Sequence, residues 1–183
     1  MLNISIDDLA REAKSTDRAK FAARHPEPLL VLDSLATDEA AEGFSTTSGG
    51  RKWPLARLRL GLPTHGTPVV PLKKRAGANE FSNMITLGRA GNNDLALEVG
   101  SISKFHAYFT RDARDGRWYL HDAGSANGTW VNGDRLGDSH SKTQIEDGAA
   151  IQIGPDARMR FFKPEALYDL LTTAPPPGAR DEQ

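Results

Sequence analysis

The chain has 183 residues, enough for one ordinary domain with appended segments and short for two full ones. Its 23 basic and 24 acidic side chains nearly cancel, so no bulk positive field exists to hold nucleic acid, and any recognition of phosphate must come from local placement. The absence of cysteine excludes a disulfide framework, a thiolate metal site and a cysteine nucleophile; with no basic-then-apolar start and no run near ~20 apolar residues, the chain reads as cytoplasmic and without membrane contact.

Ser5 with Asp8 three residues on forms a helix-capping pair, and Ile6, Leu9, Ala10 and Ala13 follow at helical spacing. A second helix is expected over residues 16–24, ending near His25 because Pro26 disfavours helical backbone in the residue before it. Residues 29–32 read as a brief apolar strand or a docking segment. Residues 38–50 are small, polar and glycine-containing, a composition that buries little apolar surface, and read as a flexible linker. Trp53, Leu55, Leu58, Leu60 and Leu62 follow without a pattern that assigns a structure.

From Val69 the texture changes to short strands separated by turn signals, which points to an antiparallel sandwich. The expected strands are 69–73, 84–87, 95–97, 105–110, 118–121, 129–131, 150–153 and 159–162. In one of them Phe105, Ala107 and Phe109 are placed on one face, with His106, Tyr108 and Thr110 on the other; Trp118 and Leu120 oppose Tyr119 and His121. Asp115-Gly116 and Asn132-Gly133 are hairpin signals. Pro164 can open a helix carrying Leu167, Leu170 and Leu171, and the tail from Ala174, with three consecutive prolines, reads as disordered.

Three clusters along these strands carry chemistry. Gly88-Arg89 sets a guanidinium fork at a strand end, suited to two parallel hydrogen bonds with phosphate, and the glycine gives the backbone freedom to turn. Ser103-Lys104, with His106 two residues later, sets a hydroxyl beside an ammonium. Ser125-Ala126-Asn127-Gly128-Thr129 sets a side-chain amide in a glycine turn.

In their order and residue types these clusters resemble the forkhead-associated (FHA) domain, a phosphothreonine-binding β-sandwich. The resemblance covers roughly residues 66–163. It implies an all-β, antiparallel FHA/SMAD-like β-sandwich at 66–163, preceded by a helical and irregular extension over 1–65 and followed by a short helix and tail over 164–183. It further implies a non-enzymatic, cytoplasmic signalling adaptor that needs no cofactor or metal. Its partner would be a phosphothreonine-containing protein, a Ser/Thr kinase or a kinase substrate, with no nucleic acid and no membrane. Arg89, Ser103, Lys104 and Asn127 would contact the phosphopeptide, Asn127 with its side-chain amide on the peptide's main chain. Gly88, His106, Ser125 and Gly128 would support the pocket. The alternative is a protein-interaction scaffold with the same fold that binds without phosphate.

One position departs from the family pattern. Where a serine or threonine commonly precedes the asparagine, this chain has Ala126; the missing hydroxyl would weaken phosphate binding by about 0.5–1.5 kcal/mol unless Ser125 replaces it. Asp94 is expected to tie down the loop after Arg89, Trp130 to pack, and residues 137–139 to line the rim. Ser101, two residues before Ser103 and uncharged, implies no strong demand for a charged residue in the peptide. Thr46 and Thr47, if phosphorylated, would lie on a segment able to reach the chain's own pocket. A triad of Ser103, His106 and Asp122 lacks the strained glycine-serine-glycine elbow that would support it.

Overall fold

A computed structural model of the chain describes residues 4–35, 66–137 and 141–173. The expected linker at 38–50, the threonines at 46 and 47, the apolar stretch from Trp53 to Leu62, rim positions 138–139 and the tail from Ala174 lie outside the described residues. The elements run β1 (Ile4–Ser5), α1 (Ile6–Ser15), α2 (Arg18–Arg24), β2 (Leu29–Leu35), β3 (Pro68–Pro71), β4 (Ile85–Gly88), β5 (Leu95–Ala96) and β6 (Ala107–Arg111). They continue with β7 (Trp118–Asp122), β8 (Thr129–Val131), β9 (Asp134–Arg135), β10 (Thr143–Ile145), β11 (Ala150–Ile153), β12 (Ala157–Phe162) and α3 (Pro164–Thr173).

The strands form two sheets. One has the order β1-β3-β2-β12-β11-β8-β9 and the other β10-β7-β6-β4-β5; every pairing is antiparallel except β4 with β5. Between them lies a core that includes Leu30, Leu72, Leu87, Phe109, Leu120, Ile151, Ile153, Met159 and Phe161, all essentially without exposure. Each such side chain contributes about 1.5–3 kcal/mol of burial. This is the antiparallel β-sandwich that the sequence leads one to expect.

The first sheet is covered on its other face too. Ile6, Leu9, Ala13 and Phe21 from the N-terminal helices and Leu167 and Leu171 from α3 pack with Leu29, Val31, Val69 and Phe162 in a second cluster. The run Leu29-Leu30-Val31 therefore has an apolar residue at every position because Leu30 faces the sandwich core while Leu29 and Val31 face the helices. Placed in the extension by the sequence reading, this segment becomes β2, which stands between β3 and β12. The helices are tied by paired hydrogen bonds of 2.9 Å from Arg18 to Asp169 and by the Tyr168 hydroxyl on the Thr16 carbonyl.

Local signals explain most element ends. Ser5 and Asp8 form a reciprocal capping box on α1. The second helix begins two residues later than expected because Asp17, not Thr16, caps it by accepting the Lys20 amide at 2.8 Å. Asn132, at φ +53°, and Gly133 close the two-residue hairpin between β8 and β9. Among the described residues, no helix is long and apolar enough to cross a membrane.

One strand assignment is corrected. Phe105 does not share the inward face of Ala107 and Phe109; it is 37% exposed and stacks on Tyr108, while His106, expected on the outer face, is fully buried. The ladder starts only at Ala107, so residues 105 and 106 lie in the preceding loop and escape the strand's two-residue period.

Candidate functional site

Three loops meet beyond one end of the sandwich: the one leaving β4, the one entering β6 and the one joining β7 to β8. The first two are laced by backbone. The Arg89 amide donates to the Ser103 carbonyl at 2.9 Å, and the Ala90 amide to the Lys104 carbonyl at 3.1 Å. Asn93, buried, adds side-chain bonds from Nδ2 to the Ala90 and Lys104 carbonyls at 2.8 and 2.7 Å.

Gly88 makes this approach possible, though not by unusual torsion. A Cβ there would lie 2.4 Å from the Lys104 carbonyl oxygen and 2.9 Å from its carbon. The glycine supplies room, whereas the sequence suggested freedom to turn.

His106 ties in the third loop. Its Nδ1 accepts the Ser103 amide at 3.0 Å, so the ring proton sits on Nε2 and is donated to the Gly128 carbonyl at 2.9 Å. The same carbonyl receives the Gly154 amide at 2.9 Å, and the His106 carbonyl receives that of Ala123 at 2.9 Å. Burial pushes the imidazole below its ordinary pKa, against the pull of its bond to Gly128 and of the Asp122 charge. Because the depressed pKa belongs to the folded state, this stabilisation is complete above about pH 6.5 and is lost as pH falls through that value toward the folded pKa. Denaturant midpoints should therefore fall between pH 7.5 and 5.5, and less steeply in His106→Gln; His121, also lowered by burial and by Lys142, supplies the dependence that remains.

Asp122 organises the asparagine turn. Its Oδ1 accepts the Gly124 and Ser125 amides, both at 2.8 Å, and its Oδ2 accepts the Ser125 and Thr129 hydroxyls at 2.7 and 2.6 Å. Burial would raise this carboxyl, but hydrogen bonds from Thr129, Ser125 and Gly124 outweigh it and hold the group below its ordinary value. The Ser125 hydroxyl also accepts the Gly128 amide at 2.9 Å. Donating to Asp122 and accepting from Gly128, it is occupied inside the turn, which corrects the expectation that it replaces the hydroxyl missing at Ala126.

The exposed side of the assembly carries the candidate contacts. Ser103 Oγ accepts the Ala126 amide at 3.1 Å, which leaves its own proton for an outside acceptor. Arg89 and Lys104 are both exposed, and neither has a carboxylate partner among the described residues. The Arg89 Nε donates to the Ile102 carbonyl at 3.2 Å, fixing the stem and leaving the terminal nitrogens without a partner among the described residues. Asn127 Nδ2 donates to the Ser101 carbonyl at 2.7 Å, which leaves Oδ1 unengaged among them. The Ser101 hydroxyl is itself buried without a partner among the described residues.

The arrangement suits binding of an oxyanion. It does not form a proton relay: His106 meets the Ser103 amide, not its hydroxyl, and the four bonds described for Asp122 go to the turn.

Other residues hold the frame. Asp94, at the end of the loop that follows Arg89, binds the Thr86 and Arg75 amides, Lys74 Nζ and Asn79 Nδ2 at 2.7–3.2 Å. Burial would raise its carboxyl, but Lys74 and the amides hold it well below the usual range. Trp130 packs beneath the Arg135 guanidinium, 5.6 Å from its ring centroid. The sequence reading missed Asn93, whose signal is a buried amide after a glycine turn, and Gly154, where a Cβ would meet the Ser101 carbonyl at 3.3 Å.

The FHA domain family model matches residues 85–154. The oxoglutarate dehydrogenase inhibitor of Corynebacterium diphtheriae is 32% identical over 124 residues, 67% of this chain and 78% of that protein. The FHA domain-containing protein PS1 of Arabidopsis thaliana is 30% identical over 94 residues, half of this chain; the chain spans only 6% of that protein's length. The solution structure of the FHA domain of an Arabidopsis thaliana hypothetical protein superposes with a TM-score of 0.47 at 20% identity, over 74% of this chain and 84% of that one. On the match along most of the Corynebacterium protein, with the FHA model over the strands and loops that build the site, the chain belongs to the FHA domain family.

Proposed function

We propose that this protein is a cytoplasmic phosphothreonine-binding adaptor acting downstream of Ser/Thr kinases, with Arg89, Ser103, Lys104 and Asn127 as its peptide contacts. The observation that carries the reading is the pairing of two cations without carboxylate partners among the described residues beside a hydroxyl whose proton is free, all set on loops interlocked by backbone bonds. A phosphate of about two negative charges meets Arg89 and Lys104 as charge-assisted donors and Ser103 as a neutral one. Asn127 Oδ1 is left to accept from the peptide main chain. Gly88, His106, Ser125 and Gly128 support these four, as their internal bonds and close contacts indicate.

Arg89→Ala should weaken binding of a phosphothreonine peptide by about 100-fold, the loss of a bidentate charge-assisted pair, with little change in melting temperature because the exposed side chain makes a single internal bond, to the Ile102 carbonyl. The unphosphorylated twin should bind neither protein. Affinity should fall with added salt, and phosphoserine should bind less well if a small apolar notch takes the threonine methyl. Fluorescence anisotropy with the peptides measures the binding outcomes, and thermal unfolding the melting temperature.

A second reading is a scaffold that binds without phosphate. Ala126, whose missing hydroxyl Ser125 does not replace, favours it. Partner binding unaffected by Arg89→Ala would select this reading.

A further inference from the structure

Two of the three exposed large apolar side chains among the described residues stand next to each other. Phe81 is 48% exposed and Phe105 37%, and their rings are stacked with centroids 6.0 Å apart and planes 12° from parallel. The row continues inward from Phe105 to Tyr108 at 5.9 Å and from Tyr108 to His121 at 4.4 Å, the last pair within 8° of parallel. Four rings thus extend from the loop before β4 across the outer face of the five-stranded sheet. Exposed aromatic surface of this kind, set in an ordered frame, marks an interaction site.

Both phenylalanines are held in place. The Phe81 amide donates to Asn79 Oδ1 at 3.2 Å, and Asn79 Nδ2 is bound to Thr86 Oγ1 and Asp94. On either side of Phe105, the Lys104 carbonyl is fixed by Ala90 and Asn93, and the His106 amide donates to the Leu87 carbonyl. A ring with two torsions on such a frame loses little entropy when a partner covers it.

Position selects the occupant. Phe105 directly follows Ser103 and Lys104, so the row starts within about 7 Å of backbone from Ser103, a span that an extended peptide covers in roughly two residues. We infer that the Phe81–Phe105 platform, backed by Tyr108 and His121, is a second contact for the phosphothreonine ligand and takes an aromatic or large aliphatic side chain of the same segment. This rests on the phosphothreonine reading above and adds a selectivity that the phosphate contacts do not provide.

The test compares wild type with Phe81→Ala/Phe105→Ala in phosphothreonine peptide libraries in which one flanking position at a time is Phe, Leu, Ala, Gly or Asp. Wild type should favour Phe or Leu over Ala by about 10-fold at one flanking position. In the double variant that preference should fall to about twofold or less, while discrimination against the unphosphorylated twin persists. Phe81→Ala alone, at the more exposed ring, carries the same test if the double variant melts early. An unchanged preference in the variants, or no such preference in wild type, overturns the platform and leaves the phosphothreonine reading standing. Wild type that does not distinguish the phosphorylated library from its twin overturns both.

Discussion

Gly88→Ala is expected to cost about 3 kcal/mol of stability and to remove phosphopeptide binding, because it pries apart the two loops that carry the cations. The new methyl carbon would stand 2.4 Å from the Lys104 carbonyl oxygen and 2.9 Å from its carbon, with Asn93 Nδ2 at 3.0 Å. None of these is the free end of a flexible side chain: the carbonyl accepts bonds from Ala90 and Asn93, and Asn93 is buried. Relief must therefore come from moving the backbone of residues 103–105 away from residues 88–90, which breaks the pairings of Arg89 with Ser103 and Ala90 with Lys104. Gly91→Ala is the control, since a Cβ there meets nothing within 4 Å. Urea unfolding and peptide anisotropy on the two variants should separate them clearly.

Asp122→Ala is expected to be comparably severe, about 4 kcal/mol, through a different route. Four donors converge on this carboxylate, two amides and two hydroxyls, and Thr129 among them is fully buried. Alanine leaves all four without their acceptor and frees the turn that presents Asn127. Asp122→Asn keeps the shape and one acceptor oxygen, and the hydroxyls of Ser125 and Thr129 can rotate to meet the new amide, so it should cost about half as much. Denaturant midpoints at pH 7 measure both. The pairing with stability runs in the acidic direction: with its folded pKa depressed, Asp122 contributes fully above about pH 4 and loses that contribution as pH falls through the folded value.

The parts of the fold visible in the sequence are those governed by neighbours in the chain. The capping box at Ser5 and Asp8, the Asn132-Gly133 hairpin and the inward Trp118 and Leu120 each follow from spacing within a few residues. What escaped depends on contacts distant in sequence. The strand at Leu29–Leu35 shows no alternation because helices cover its second face, and that layer is assembled from both ends of the described chain. Phe105 was misplaced because the loop runs two residues further than its apolar pattern suggests.

The same division holds at the site. Arg89, Ser103, Lys104 and Asn127 announce themselves by residue type, and the structure brings their loops together. The space requirement at Gly88, the tautomer of His106 and the commitment of Ser125 to Asp122 are properties of packed loops, with no local sequence signature.

The most direct test of the phosphothreonine reading is a titration of isotopically labelled protein with a phosphothreonine peptide, following backbone amide resonances by NMR beside the unphosphorylated twin. The account predicts shifts concentrated at Arg89–Ala90, Ser103–Lys104 and Ala126–Gly128, produced by the phosphorylated peptide alone and abolished in Arg89→Ala. Shifts of equal size with both peptides, or a response confined to other surfaces, would contradict it.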